Sequence, residues 1–148
     1  MVLRKVLYFI WKLSMGSMAT KSAFMCGGIQ IHDTSCVLCG CAKETMDHLS
    51  TECTIVRAVW WHFCVWTKIP IMVDISSFRD VKEGIDRMKG SAKWKNVLVA
   101  LAYETLWRIW KAHNDRVFEG TPFSVLHIVE AVEEHCSFGL KTEQHIKA

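Results

Sequence analysis

The sequence predicts a small all-α domain of five to six helices built around one irregular, cysteine-rich loop. Apolar residues recur at three- and four-residue intervals over most of the chain, and no stretch shows the two-residue alternation of a half-buried strand. The one long aperiodic stretch, residues 30–50, holds Cys36, Cys39 and Cys41. A length of 148 residues bounds the chain at one domain, or one with an appendage. With 51% hydrophobic and 22% charged residues it has apolar area for a real core and too little charge for disorder as its main state.

The first helix is expected over residues 2–13, with Val2, Val6, Phe9, Ile10 and Leu13 on one face and Arg4, Lys5, Tyr8 and Lys12 on the other. Met15-Gly16-Ser17 ends it. A short helix from Thr20 to Cys26 is capped by Thr20 and stopped by Gly27-Gly28. In residues 54–66, Ile55, Val56, Val59, Trp60, Phe63 and Trp66 keep helical spacing, and Pro70 bars continuation. Ser76 and Ser77 can cap a fourth helix with Phe78, Val81, Ile85 and Met88 facing inward.

The longest helix runs from about Ala92 to Phe118, with an apolar arc of Trp94, Val97, Leu98, Leu101, Ala102, Thr105, Ile109 and Ala112. Glu104 and Arg108 form an i, i+4 pair on the opposite side. Gly120 stops this helix, Thr121 caps the next and Pro122 takes its first position, followed by the stripe Val125, Ile128, Val129, Val132 and Cys136. Residues 139–148 read as a frayed tail.

Charge and cysteine are unevenly placed. Residues 1–32 carry Arg4, Lys5, Lys12 and Lys21 and no acid, whereas the rest of the chain holds all 15 acids and is close to neutral. An odd total of seven Cys, four of them between Cys26 and Cys41, suits metal or thiol chemistry in a reducing compartment better than a secreted disulfide framework. The apolar run Val6 to Ile10, soon interrupted by Lys12, is too short for a secretory signal, and no run approaches the roughly 18 apolar residues of a membrane span. An intracellular location, nucleus or cytoplasm, is expected; the basic, acid-free start also fits an organelle transit peptide.

The informative string runs from Cys36 to Cys53 and contains Cys-x2-Cys-x8-His-x4-Cys, that is Cys36, Cys39, His48 and Cys53. A Cys-x2-Cys turn presents two thiolates to one ion, and a His and a Cys near a helix start can complete a tetrahedron. Gly40 permits the tight turn. Four such ligands leave no open position, so the site would hold one structural Zn2+. On spacing alone the alternatives stay open: Cys41 is a competing ligand, a Cys-x-Cys pair can be a thiol site, and the same residues can be buried thiols beside a surface His. Zinc-dependent deamination is excluded, since it requires a His-x-Glu that is absent. Cys26, Cys64 and Cys136 fall on apolar helical faces and are expected in the core.

This string resembles the zinc-binding domain that follows the polymerase in plant LINE-type (non-LTR) retrotransposon reverse transcriptases. The family's motifs correspond to Phe9-Ile10-Trp11, Gly16 to Thr20, Phe24 to Ile29, Cys36 to Gly40, Glu44-Thr45, His48-Leu49, Cys53 and Trp60. A second piece, Leu106 to Phe118, resembles the Trp-x-Ile-Trp-Lys helix that lies between this domain and ribonuclease H in such elements. The resemblance implies zinc on Cys36, Cys39, His48 and Cys53, a zinc-binding domain over residues 1–70 and a helical extension packed on it over 71–138.

The departures bear on function. The basic residue expected before Thr20 is replaced within Ser17-Met18-Ala19, Gly27 stands for the Arg of an Arg-Gly-Ile segment, and His113 for the Arg of an Arg-Asn pair, so three cations that could meet phosphate are missing. Asp33, Asp47, Asp74, Asp80, Asp86 and Asp115 are scattered singly, unlike the paired aspartates of a polymerase or the carboxylates of ribonuclease H. The expectation is a non-catalytic fragment, detached or domesticated, with no small-molecule substrate and no membrane partner.

Two functions follow. One is weak binding of RNA or single-stranded DNA, with Arg4, Lys5, Lys12, Lys21 and Lys43 on phosphates and Trp11 stacking on a base. The other is a structural module whose surface, including Trp107 and Tyr103, joins a parent polymerase or another protein.

Overall fold

The computed structural model describes residues 4–70 and 75–147, with side chains as far as residue 137. Six α-helices and one π-helical turn make up the ordered elements: α1 (Arg4–Ser14), α2 (Lys21–Cys26), the π turn (His48–Glu52), α3 (Thr54–Thr67), α4 (Phe78–Asp86), α5 (Ala92–Glu119) and α6 (Val125–Lys147). The fold is all-α; the described strand-like pairing is a single bridge between Ser35 and Lys43.

Helix α1 presents Val6 and Phe9 to the core, with Ile10 and Leu13 packed against it, as its periodicity requires; Val2 lies outside the described residues. Phe9 stacks on Trp110 of α5 at 6.4 Å between ring centroids. Helix α3 buries Val56, Val59, Trp60 and Phe63, and closes on Lys68 in the left-handed conformation with φ 60°. Helix α4 begins with a reciprocal capping box between Ser77 and Asp80 and buries Val81 and Ile85. Gly120, at φ 69°, ends α5. The backbone of α6 continues through the stretch expected to fray, as far as Lys147.

Helix α5 is the axis of the molecule: α1, α4, α6 and the π turn all pack on it. One buried cluster runs from Phe9 through Leu49, Val56, Leu98, Leu106 and Ile109 to Val132, so the cysteine-rich half and the helical half share a core. Each fully buried aliphatic side chain in it contributes about 1.5–3 kcal/mol. No helix among the described residues is long and apolar enough to cross a membrane.

Four local expectations change. Glu104 is buried, not on an outer face, because α6 covers that side of α5; it pairs with Arg108 at 2.9 Å and also hydrogen-bonds His135 of α6. Trp94, in the first turn of α5, is exposed rather than packed in the core. Cys26 is exposed as well, since α2 has six residues and buries none of them. Helix α6 starts at Val125 rather than at Pro122, and Ser124 caps it, its Oγ accepting from the His127 N–H at 3.2 Å. Cys64 is buried and Cys136 packs against the core.

Candidate metal centre

The loop between α2 and the π turn is held by a few specific bonds. The Cys36 N–H donates to the Ala42 carbonyl at 2.7 Å and the Gly40 N–H to the Cys36 carbonyl at 2.8 Å, closing a knuckle around Cys36 and Cys39. Gly40 takes φ 66°, a conformation costly for any residue with a Cβ. On the other side, Thr45 Oγ1 accepts from the His48 N–H at 3.0 Å and starts the π turn. The Cys53 N–H closes that turn on the His48 carbonyl at 2.8 Å. This widened i to i+5 turn brings His48 and Cys53, five residues apart, back over one face.

The sulfurs of Cys36, Cys39 and Cys53 and a ring nitrogen of His48 converge, all four lying within 4.8 Å of one another. Cys39 Sγ is 3.3 Å from His48 Nε2. A tetrahedral zinc with Zn–S near 2.3 Å and Zn–N near 2.0 Å needs donors about 3.5–3.8 Å apart, so small adjustments complete the site. Cys36, His48 and Cys53 are buried and Cys39 half-buried.

The protonation of the thiols carries the same message. The Cys36 thiol is pushed up to about 12, first by its hydrogen bond to Cys53 and then by burial, while that bond holds Cys53 below the ordinary thiol range. Two buried thiolates this close repel each other, and a divalent cation removes that conflict. The donor set therefore fits one structural Zn2+, with Cys36, Cys39, His48 and Cys53 as its ligands and no open position for chemistry.

Cys41 stands apart. It is exposed, its N–H donates to Cys39 Sγ at 3.4 Å and its thiol donates to the Cys39 carbonyl at 3.2 Å, so it orients a ligand without joining the cluster. Cys41→Ser is expected to keep one full equivalent of zinc by elemental analysis, whereas Cys53→Ser loses it.

The sequence alone did not point to the groups that fasten this loop to the helical core. Glu44 is almost fully buried; its carboxylate accepts from the N–H groups of Lys21 and Val37, both at 3.3 Å, and meets His113 Nε2 of α5 at 3.3 Å. Burial alone would push the Glu44 carboxyl up, but His113 and the two backbone donors outweigh it and hold it below its ordinary value. His113, also buried, is therefore the partner of Glu44 and not a lost surface cation. The signal for Glu44 was its place in the Glu-Thr motif; for His113 there was none, because its surroundings come from another part of the chain.

The residues expected on nucleic acid divide into two groups. Arg4 and Lys5 are exposed on α1, Lys12 sits 5.8 Å from the Tyr8 ring, and Trp11 is 57% exposed with its ring 5.9 Å from that of Tyr8. Lys43 is exposed at the bridge with Ser35. Lys21 differs: it is half-buried and its Nζ donates to the Ser35 carbonyl at 2.7 Å, so it braces the zinc loop.

No curated protein and no solved structure matches the chain. Residues 1–60, which contain α1 and all four converging ligands, match the family described as zinc-binding in reverse transcriptase.

Proposed function

We propose that the chain is a non-catalytic, zinc-stapled module derived from the reverse transcriptase of a plant LINE-type retrotransposon, and that it binds RNA or single-stranded DNA weakly through α1. The observation that carries this reading is the outer face of α1. Tyr8 and Trp11 lie side by side in solvent among Arg4, Lys5 and Lys12, with no acid on the helix. Exposed rings among cations supply stacking and phosphate attraction without base-specific contacts.

The non-catalytic half of the reading rests on the sequence, whose aspartates are scattered singly. Asp33 sits in the loop, Asp47 at the start of the π turn, Asp80 and Asp86 on α4 and Asp115 on α5; Asp74 lies outside the described residues. A zinc–thiolate centre suits a reducing interior, nucleus or cytoplasm.

Titration of a labelled single-stranded RNA by fluorescence anisotropy tests the binding. Three or four phosphate contacts predict an affinity that falls about 20- to 50-fold between 50 and 200 mM salt. Absence of binding at the lower salt rejects the proposal. A second reading, docking on a parent polymerase or another protein, is favoured by the exposed apolar strip Trp61, Val65 and Trp66 on α3. It becomes the working account if the titration fails.

A further inference from the structure

Around Trp107 of α5 stand three cations, Lys5 brought by α1 and Arg108 and Lys111 on α5 itself. Lys5 Nζ lies 4.5 Å from the ring centroid, and Arg108 and Lys111 each lie 5.9 Å from it. Arg108 is answered by Glu104 at 2.9 Å. Lys5 and Lys111 have no carboxylate within ion-pair distance among the described residues, although both are exposed. The Trp107 ring itself is half-buried against the core, so the ring that holds these cations is fixed in place.

Two unanswered ammonium groups held around one ring are a preorganised anion site. Each cation–π contact limits the freedom of a long side chain, which lowers the entropy lost when a phosphate arrives. Neither charge is neutralised within the described residues, so a polyanion gains from both at once.

We propose that the nucleic-acid surface does not end on α1 but crosses to α5, with Lys5 and Lys111 holding consecutive phosphates of a single strand over Trp107. This rests on the nucleic-acid reading of α1 and adds to it a residue, Lys111, that the α1 face does not contain.

The test uses the whole zinc-loaded chain and the same labelled RNA, with Lys111→Gln, Lys111→Arg, Lys12→Gln and, as a distant control, Lys93→Gln. Lys93 is exposed near the other end of α5, roughly 27 Å away at 1.5 Å per residue. Lys111→Gln is expected to weaken binding about 5- to 10-fold at 50 mM salt and to reduce the salt slope by about 0.7, with Lys111→Arg restoring both and Lys93→Gln unchanged. If Lys12→Gln weakens binding while Lys111→Gln keeps the parent affinity and slope, the strand stays on α1 and the crossing is overturned. If the parent chain itself fails to bind at low salt, the underlying reading falls and the crossing with it.

Discussion

Removing zinc with a strong chelator at neutral pH is expected to abolish the cooperative thermal transition of this protein. Structural zinc sites are worth about 10–16 kcal/mol of apparent binding free energy, whereas a domain of this kind has a net stability of about 5–15 kcal/mol. The loss is therefore comparable to the whole margin. It also reaches beyond the loop, because Cys36, Leu49 and Cys53 belong to the same buried cluster as Val56, Leu106 and Ile109. The ligand-bearing segment further holds α3 by the bond from Trp60 Nε1 to the Ser50 carbonyl at 2.6 Å. Without the ion, the two sulfurs keep only the hydrogen bond between Cys36 and Cys53, a much weaker tie than a common metal. Near-ultraviolet circular dichroism of the tryptophans should collapse on chelation and recover with added zinc. An unchanged melting curve after the metal is gone would mean that the helical core is self-sufficient.

The second large effect is expected at His113. Removing the partner of a buried carboxylate leaves that group unsatisfied and costs about 3 kcal/mol. His113→Ala removes the imidazole that meets the Glu44 carboxylate while leaving that carboxylate buried under the loop. At about 2–4 °C per kcal/mol for a chain of this size, the melting temperature should fall by roughly 10 °C. Glu44→Gln should cost less, since an amide keeps an oxygen for one of the backbone donors, Lys21 and Val37. The double variant should fall well short of the sum, which denaturant unfolding of all four proteins would establish.

Acid gives a separate check on the same pair. Glu44 has a depressed carboxyl in the folded chain, so its contribution is present above the ordinary value of 4.5 and disappears as pH falls through the lowered folded value. The stability gap between the parent and Glu44→Gln should therefore narrow as pH falls below 4.5. Zinc release in acid affects both proteins, and the comparison between them isolates the carboxylate.

What was legible in the sequence was what is encoded locally. The Cys-x2-Cys turn with Gly40, the Ser77 cap of α4, the stop at Gly120 and the apolar spacing of α3 each depend on residues within a few positions, and each appears in the fold. Glu104, expected on the outer side of α5, is buried because α5 is covered on several sides, and a single amphipathic stripe does not describe a helix at the centre of a bundle. Charge alone places Lys21 on phosphate, whereas its bond to the Ser35 carbonyl depends on the course of a loop with no period to read. Helical spacing alone places Cys26 in the core, but the six-residue α2 buries none of its residues. Trp107 faces α1 through Lys5, a relation between the first and fifth helices that no local pattern carries.

One zinc ion, held by three sulfurs and one nitrogen, is expected to tie the loop to the helical core. Zinc K-edge X-ray absorption on the purified protein measures this directly. The expected result is one equivalent of zinc with three sulfur neighbours at about 2.3 Å and one nitrogen at about 2.0 Å, unchanged in Cys41→Ser. Four sulfur neighbours, a shell dominated by oxygen, or less than half an equivalent of zinc would contradict it.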